Sequence, residues 1–110
     1  MTAELAMALP LLLAVTVGLV WLLSVGAAQV RTVDAARETA RALARGDDTG
    51  AAVAAGEQVA PAGARVTVTT SGERVVATAS AEVEGPGGLF SFLPSVTVHA
   101  QAVALAEDDP

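Results

Sequence analysis

The sequence predicts an α+β fold. A long N-terminal transmembrane helix continues into an amphipathic helix, and this packs on a small three-stranded antiparallel sheet. Three observations predict it. The stretch Leu5–Ala28 carries no charge. Apolar residues then recur at helical spacing to Leu43, and beyond residue 64 the period changes from helical to two.

The span comes first. About 24 residues at about 1.5 Å each give about 36 Å, enough for a hydrocarbon core of roughly 30 Å. Its polar side chains, Thr16 and Ser24, can bond back to backbone carbonyls. A cleaved secretory signal is the rival reading, with Gly26-Ala27-Ala28 as the cleavage site. The acidic start MTAE and the length of the apolar run speak against it. Pro10 removes one backbone N–H and marks the place where a bend is expected.

From Gln29 to Arg45, Val30, Val33, Ala36, Ala40 and Leu43 form the expected packing face. Arg31, Asp34, Glu38, Arg41 and Arg45 form the solvated one. Asp34–Arg37 and Glu38–Arg41 are expected i,i+3 pairs. Nothing interrupts the junction with the span, so one rod over residues 1–46 is expected, capped at Gly46. Residues 47–62 form a short helix, about 50–60, or a connector. Asp47, Asp48 or Thr49 is the cap, and Pro61 marks the end.

Residues 63–106 read as an antiparallel meander. Arg65–Thr70 alternates Val66 and Val68 with polar residues, and Ser71-Gly72 is a turn signal. Glu73–Glu84 puts Val75, Ala77, Ala79, Ala81 and Val83 on one face. Ser95–Ala106 does the same with Val96, Val98, Ala100, Ala102 and Ala104. Between the last two runs, Leu89, Phe90, Phe92 and Leu93 read as a membrane-surface or partner contact, or as a loop folding over the open core. Residues 107–110 read as a disordered tail.

Composition removes whole classes of function. The 110 residues hold 6 basic and 12 acidic groups, a net charge of −6, which disfavours nucleic acid as a partner. There is no Cys and one His, so disulfides, thiolate metal sites and His clusters are excluded. His99 is the sole possible base for Ser71, Ser80, Ser91 or Ser95, and no spacing singles out a pair. Glu82 and Glu84 fall on opposite strand faces, and the GPGG run has no Lys for a phosphate loop. No enzyme, cofactor or small-molecule substrate is expected.

One feature is unusual: an acidic residue, Glu4, directly ahead of an uninterrupted apolar helix. Together with Pro10, the DAAR run at Asp34–Arg37 and the closing V-T-V-x-A-x-A strand at Val96–Ala102, it resembles the TadE-like family. These are minor pilins or pseudopilins of tight-adherence, Flp-type pili, in a branch common in GC-rich Gram-positive bacteria. The resemblance implies a single-pass subunit that helps assemble a type IV pilus or a related secretion filament. Its partners would be the membrane and other pilin-like or assembly subunits. It maps the family's glutamate onto Glu4, where it would pair with a neighbouring subunit's N-terminal amine. It also implies a basic, Gly-ending leader, whose Gly would lie two codons upstream of Met1.

Topology is drawn both ways. Arg31, Arg37, Arg41 and Arg45 pull the C-terminal side toward the cytoplasm. The likeness to an exported pilin domain, and a basic leader, would place that side outside. The alternative function is a membrane-tethered protein-interaction module unrelated to pili.

Overall fold

A computed structural model of the chain describes residues 2–84 and 95–105. Helix α1 runs unbroken over Ala3–Ala44 and α2 over Thr49–Val59. Strands β1 (Arg65–Ser71), β2 (Arg74–Val83) and β3 (Val96–Leu105) form one antiparallel sheet in the order β1-β2-β3. The molecule measures 78 × 20 × 18 Å, a rod with a small head near one end.

Helix α1 continues through Pro10, and both span hydroxyls bond back along it. Thr16 Oγ1 donates to Leu12 O at 2.8 Å and Ser24 Oγ to Val20 O at 3.0 Å. The helix stops where Gly46 takes a φ of 92°, a region open to glycine at no steric cost. There the Gly46 N–H donates to Leu43 O at 3.0 Å and the Asp47 N–H to Ala42 O at 3.1 Å, the Schellman pattern. Of the three possible caps for α2, Asp48 is the one used; its carboxylate accepts from Ala51 N at 3.2 Å. The helix ends at Ala60, held extended by the following Pro61. Gly72 alone carries positive φ in the β1–β2 turn, as a type II′ hairpin requires at its first central position.

The sheet face is as the alternation predicts. Val66, Ala77, Ala79, Ala81, Val98 and Ala104 are buried. Val66 pairs across to Ala79, which pairs on to Ala100.

The helix face differs from expectation by about a quarter turn. Val30 is 61% exposed and takes no part in the packing, and Val33 and Leu43 are only half-buried. The buried stripe is Ala28, Thr32, Ala35, Ala36, Thr39, Ala40 and Ala42. The reason is steric. These residues are small enough to admit the sheet on one side and α2 on the other. Thr32 and Thr39 lose their polarity cost by donating to Ala28 O (2.6 Å) and Ala35 O (2.9 Å). Among the described residues the Glu38–Arg41 pair forms at 3.4 Å, but the expected Asp34–Arg37 pair does not; an unlooked-for Arg45–Asp47 pair closes the turn at 3.2 Å. Strand β2 is bounded at Arg74 and Val83 rather than at Glu73 and Glu84, and β3 begins at Val96 rather than at Ser95; Ala106 lies outside the described residues.

Helix α2 crosses α1 at Gly56. A Cβ there would overlap the Thr39 hydroxyl and lie 3.0 Å from the backbone oxygen of Ala35.

Two stability outcomes follow from this packing. Ala79→Leu should destabilise by about 1–3 kcal/mol through overpacking, and Ala102→Leu in the same direction, in denaturant melts in detergent. Thr78→Leu, on the opposite face, should be near neutral; the reverse ranking would turn the sheet over. Gly56→Ala should likewise cost about 1–3 kcal/mol, and adding Thr39→Ala should recover part of that loss. Additive losses in the double variant would show that Thr39 is not the obstacle.

Candidate functional site

The candidate site is the N-terminal turn of α1 and the bare helix behind it. Thr2 is the N-cap, and its hydroxyl accepts from Leu5 N at 3.4 Å. Glu4 lies in the first turn and is exposed. A carboxylate there is favoured by the helix dipole by about 0.3–1 kcal/mol. Among the described residues Glu4 has no ion-pair partner. The next charge along α1 is Arg31, about 40 Å away at the helical rise. The fold therefore brings none of the described arginines back to Glu4.

Between those two charges the helix is apolar and exposed. Leu13 is 65% and Leu23 73% exposed, and no residue of an 18-residue window of mean hydropathy 2.4 is fully buried. The helix is long and apolar enough to cross a membrane, which fits a single-pass protein. An open apolar groove lies along Leu19, Leu22, Leu23, Gly26, Ala27 and Val30.

Among the described residues, the core cluster nearest the span reaches α1 at Val25 and Ala28. Ala28, Ala81 and Val98 form its buried centre, and Val25, Ala64, Val83 and Val96 pack against it. Farther along, Ala35 and Ala36 meet Val66 and Ala79, and Ala40 meets Ala77 and Ala104. Gln29 ties the same region to the sheet edge, its amide donating to His99 O at 3.4 Å. Trp21, which the sequence reading passed over, lies one turn before Val25. Its indole nitrogen is buried without a hydrogen-bond partner among the described residues. The signal was present as the i,i+4,i+7 spacing of Trp21, Val25 and Ala28.

The remaining sites of the sequence reading give no convergent chemistry. His99 is exposed on the outer sheet face, opposite Ser80 in the strand register. Glu82 is exposed on that face, lining an open cleft with Arg65, Ser80, Glu84 and Thr97. Among the described residues no three His, Asp or Glu side chains gather as a metal site. Leu89, Phe90, Phe92 and Leu93, and the tail 107–110, lie outside the described residues.

Amide exchange of the protein in detergent should show slow exchange through residues 29–40, where α1 enters the head. Fast exchange confined to Gly26–Gln29 would break the rod there and revive a cleaved signal.

Comparison with known proteins places a family on the same helix. The family described as TadE-like protein matches residues 1–41. In Mycobacterium tuberculosis (strain ATCC 25618 / H37Rv), the protein named apoptosis inhibitor Rv3655c is 43% identical over 79 residues. The match covers 72% of this chain and 57% of that protein, so the chain spans little more than half the length of this curated relative. No solved structure matches.

Proposed function

We propose that this chain, TadE-like over its first 41 residues, is a minor pilin-like subunit. It would help assemble a tight-adherence, type IV pilus or a related secretion filament. It acts by non-covalent assembly rather than catalysis. The observation that carries the reading is Glu4: one carboxylate ahead of a bare apolar helix, with no counter-charge among the described residues of its own chain. A carboxylate held near a low-dielectric medium gains most from a cation brought to it. In this reading the cation is the N-terminal amine of a neighbouring subunit, and the head lies outside the cytoplasm. Assembly subunits with exposed span helices are the partners, meeting along a surface of exposed leucine, valine and glycine.

A second reading is a membrane-tethered protein-interaction module. One observation favours it: the relative is named an apoptosis inhibitor, an activity that its printed name does not tie to a pilus. In that reading Leu89, Phe90, Phe92 and Leu93 would serve as a partner contact.

The test is Glu4→Gln in the native host, with intact-mass and N-terminal analysis of the wild-type protein. The substitution keeps size and removes charge. Membrane insertion should be unchanged, while co-purification with other pilin-like subunits should fall severalfold. The wild-type protein should begin one residue before Met1 with a free amine. Normal assembly of Glu4→Gln would remove the charge pair and leave the interaction module standing.

A further inference from the structure

Helix α1 has one face that the head leaves bare. Its buried side runs through Ala28, Thr32, Ala35 and Thr39. On the opposite side Leu19, Leu23, Gly26 and Val30 follow one another at three- and four-residue steps, all exposed, and line an open apolar groove. A Cβ built at Gly26 meets no atom within 4 Å, so the groove is open at its middle. The same steps lead on to Asp34, Arg37, Arg41 and Arg45, also exposed. The two rows form a single straight stripe, about 39 Å long at the helical rise.

The upper row is basic in an acidic protein. The chain carries a net charge of −6, yet Gln29–Arg45 holds four arginines against Asp34 and Glu38. Glu38 is engaged by Arg41 and Asp47 by Arg45, while Arg37 has no ion-pair partner among the described residues. Anionic lipid does not account for this row. Arg37 lies about 14 Å beyond Ala28, the end of the charge-free run, and Arg45 about 26 Å. A second copy does not account for it either. Two such stripes laid together the same way up would set one arginine row against the other, and like charges apposed across an interface repel.

We propose that this stripe docks one helix of a different subunit, apolar where it meets Leu19–Val30 and acidic where it meets Arg37–Arg45. The lower row supplies the contact and the upper row the choice of partner. Exposed charges add little affinity but discriminate between opposite and like sign. The inference rests on the reading of exposed span helices as the assembly surface, and adds that the neighbour on this face is not a copy of this chain.

The charge-reversed chain, Arg37→Glu with Arg41→Glu, serves as the acidic partner in the test. Both positions are exposed, so the core of the head is kept. In a protein without Cys, Ser71→Cys gives each full-length chain one fluorophore at the β1–β2 turn. Energy transfer between donor and acceptor chains is measured in phosphatidylcholine vesicles at low and high salt. The native–reversed pair should transfer severalfold more than native–native or reversed–reversed pairs, and the excess should shrink at high salt. Gly26→Phe in either chain should remove it, because the ring would fill the groove. Native–native transfer equal to that of the mixed pair would show that charge does not select the partner, and would overturn the inference. So would a mixed pair no better than an unrelated single-span protein, or one indifferent to Gly26→Phe. Every variant keeps Glu4. Failure here, with Glu4→Gln still impairing assembly in the host, removes this inference alone; a selective mixed pair beside normal assembly of Glu4→Gln removes the charge pair alone.

Discussion

The head depends on one interaction: the close approach of an alanine-lined helix to an alanine-lined sheet. Ala28, Ala36 and Ala40 on α1 meet Ala77, Ala79, Ala81 and Ala104 on the strands. Among the described residues, the largest fully buried side chains are two threonines. A core of this kind gains little from each residue's transfer out of water and relies on dense contact at short separation. It tolerates added volume poorly, because packing between side chains this small leaves no space for a larger one. The same requirement places Gly56 over Thr39, where α2 closes the other flank.

One helix therefore does two jobs. Its first half offers leucines and valines to a surrounding apolar medium. Its second half is the central element of the head, touching α2 on one side and β2 and β3 on the other. Because α1 is unbroken between the halves, the direction of the apolar half and that of the head are set by one element.

Most of the architecture was legible in the chain. The change of period at residue 65 located the sheet, and the Val/Ala alternation chose its buried face correctly. The charge-free run located the span, and Gly46 the end of the helix. The rotation of α1 was not legible. Hydropathy ranks Val30 above Thr32 and Thr39, but the contact selects for small size, and a threonine that donates to its own helix loses most of its polarity. Which of Asp47, Asp48 and Thr49 caps α2 was open for a related reason: all three have the chemistry, and only the Schellman turn decides which is in position. For the candidate site, Glu4 was legible as an isolated charge. The burial of the Trp21 indole nitrogen was not, because a tryptophan inside a charge-free apolar run reads like any other residue of the span.

Strand β3 rises alongside α1 in the same direction. Val98 lies by Ala28 and Ala104 by Ala40. It is also an edge strand ten residues long, with no proline or lysine to blunt it. For chains embedded the same way up in one membrane, all such edges point the same way along the bilayer normal. Two copies related by a two-fold axis through the sheet face would need one span inverted, so back-to-back antiparallel pairing of these edges is forbidden to the embedded protein. For such chains the constraint comes from the span and not from the strand's own residues.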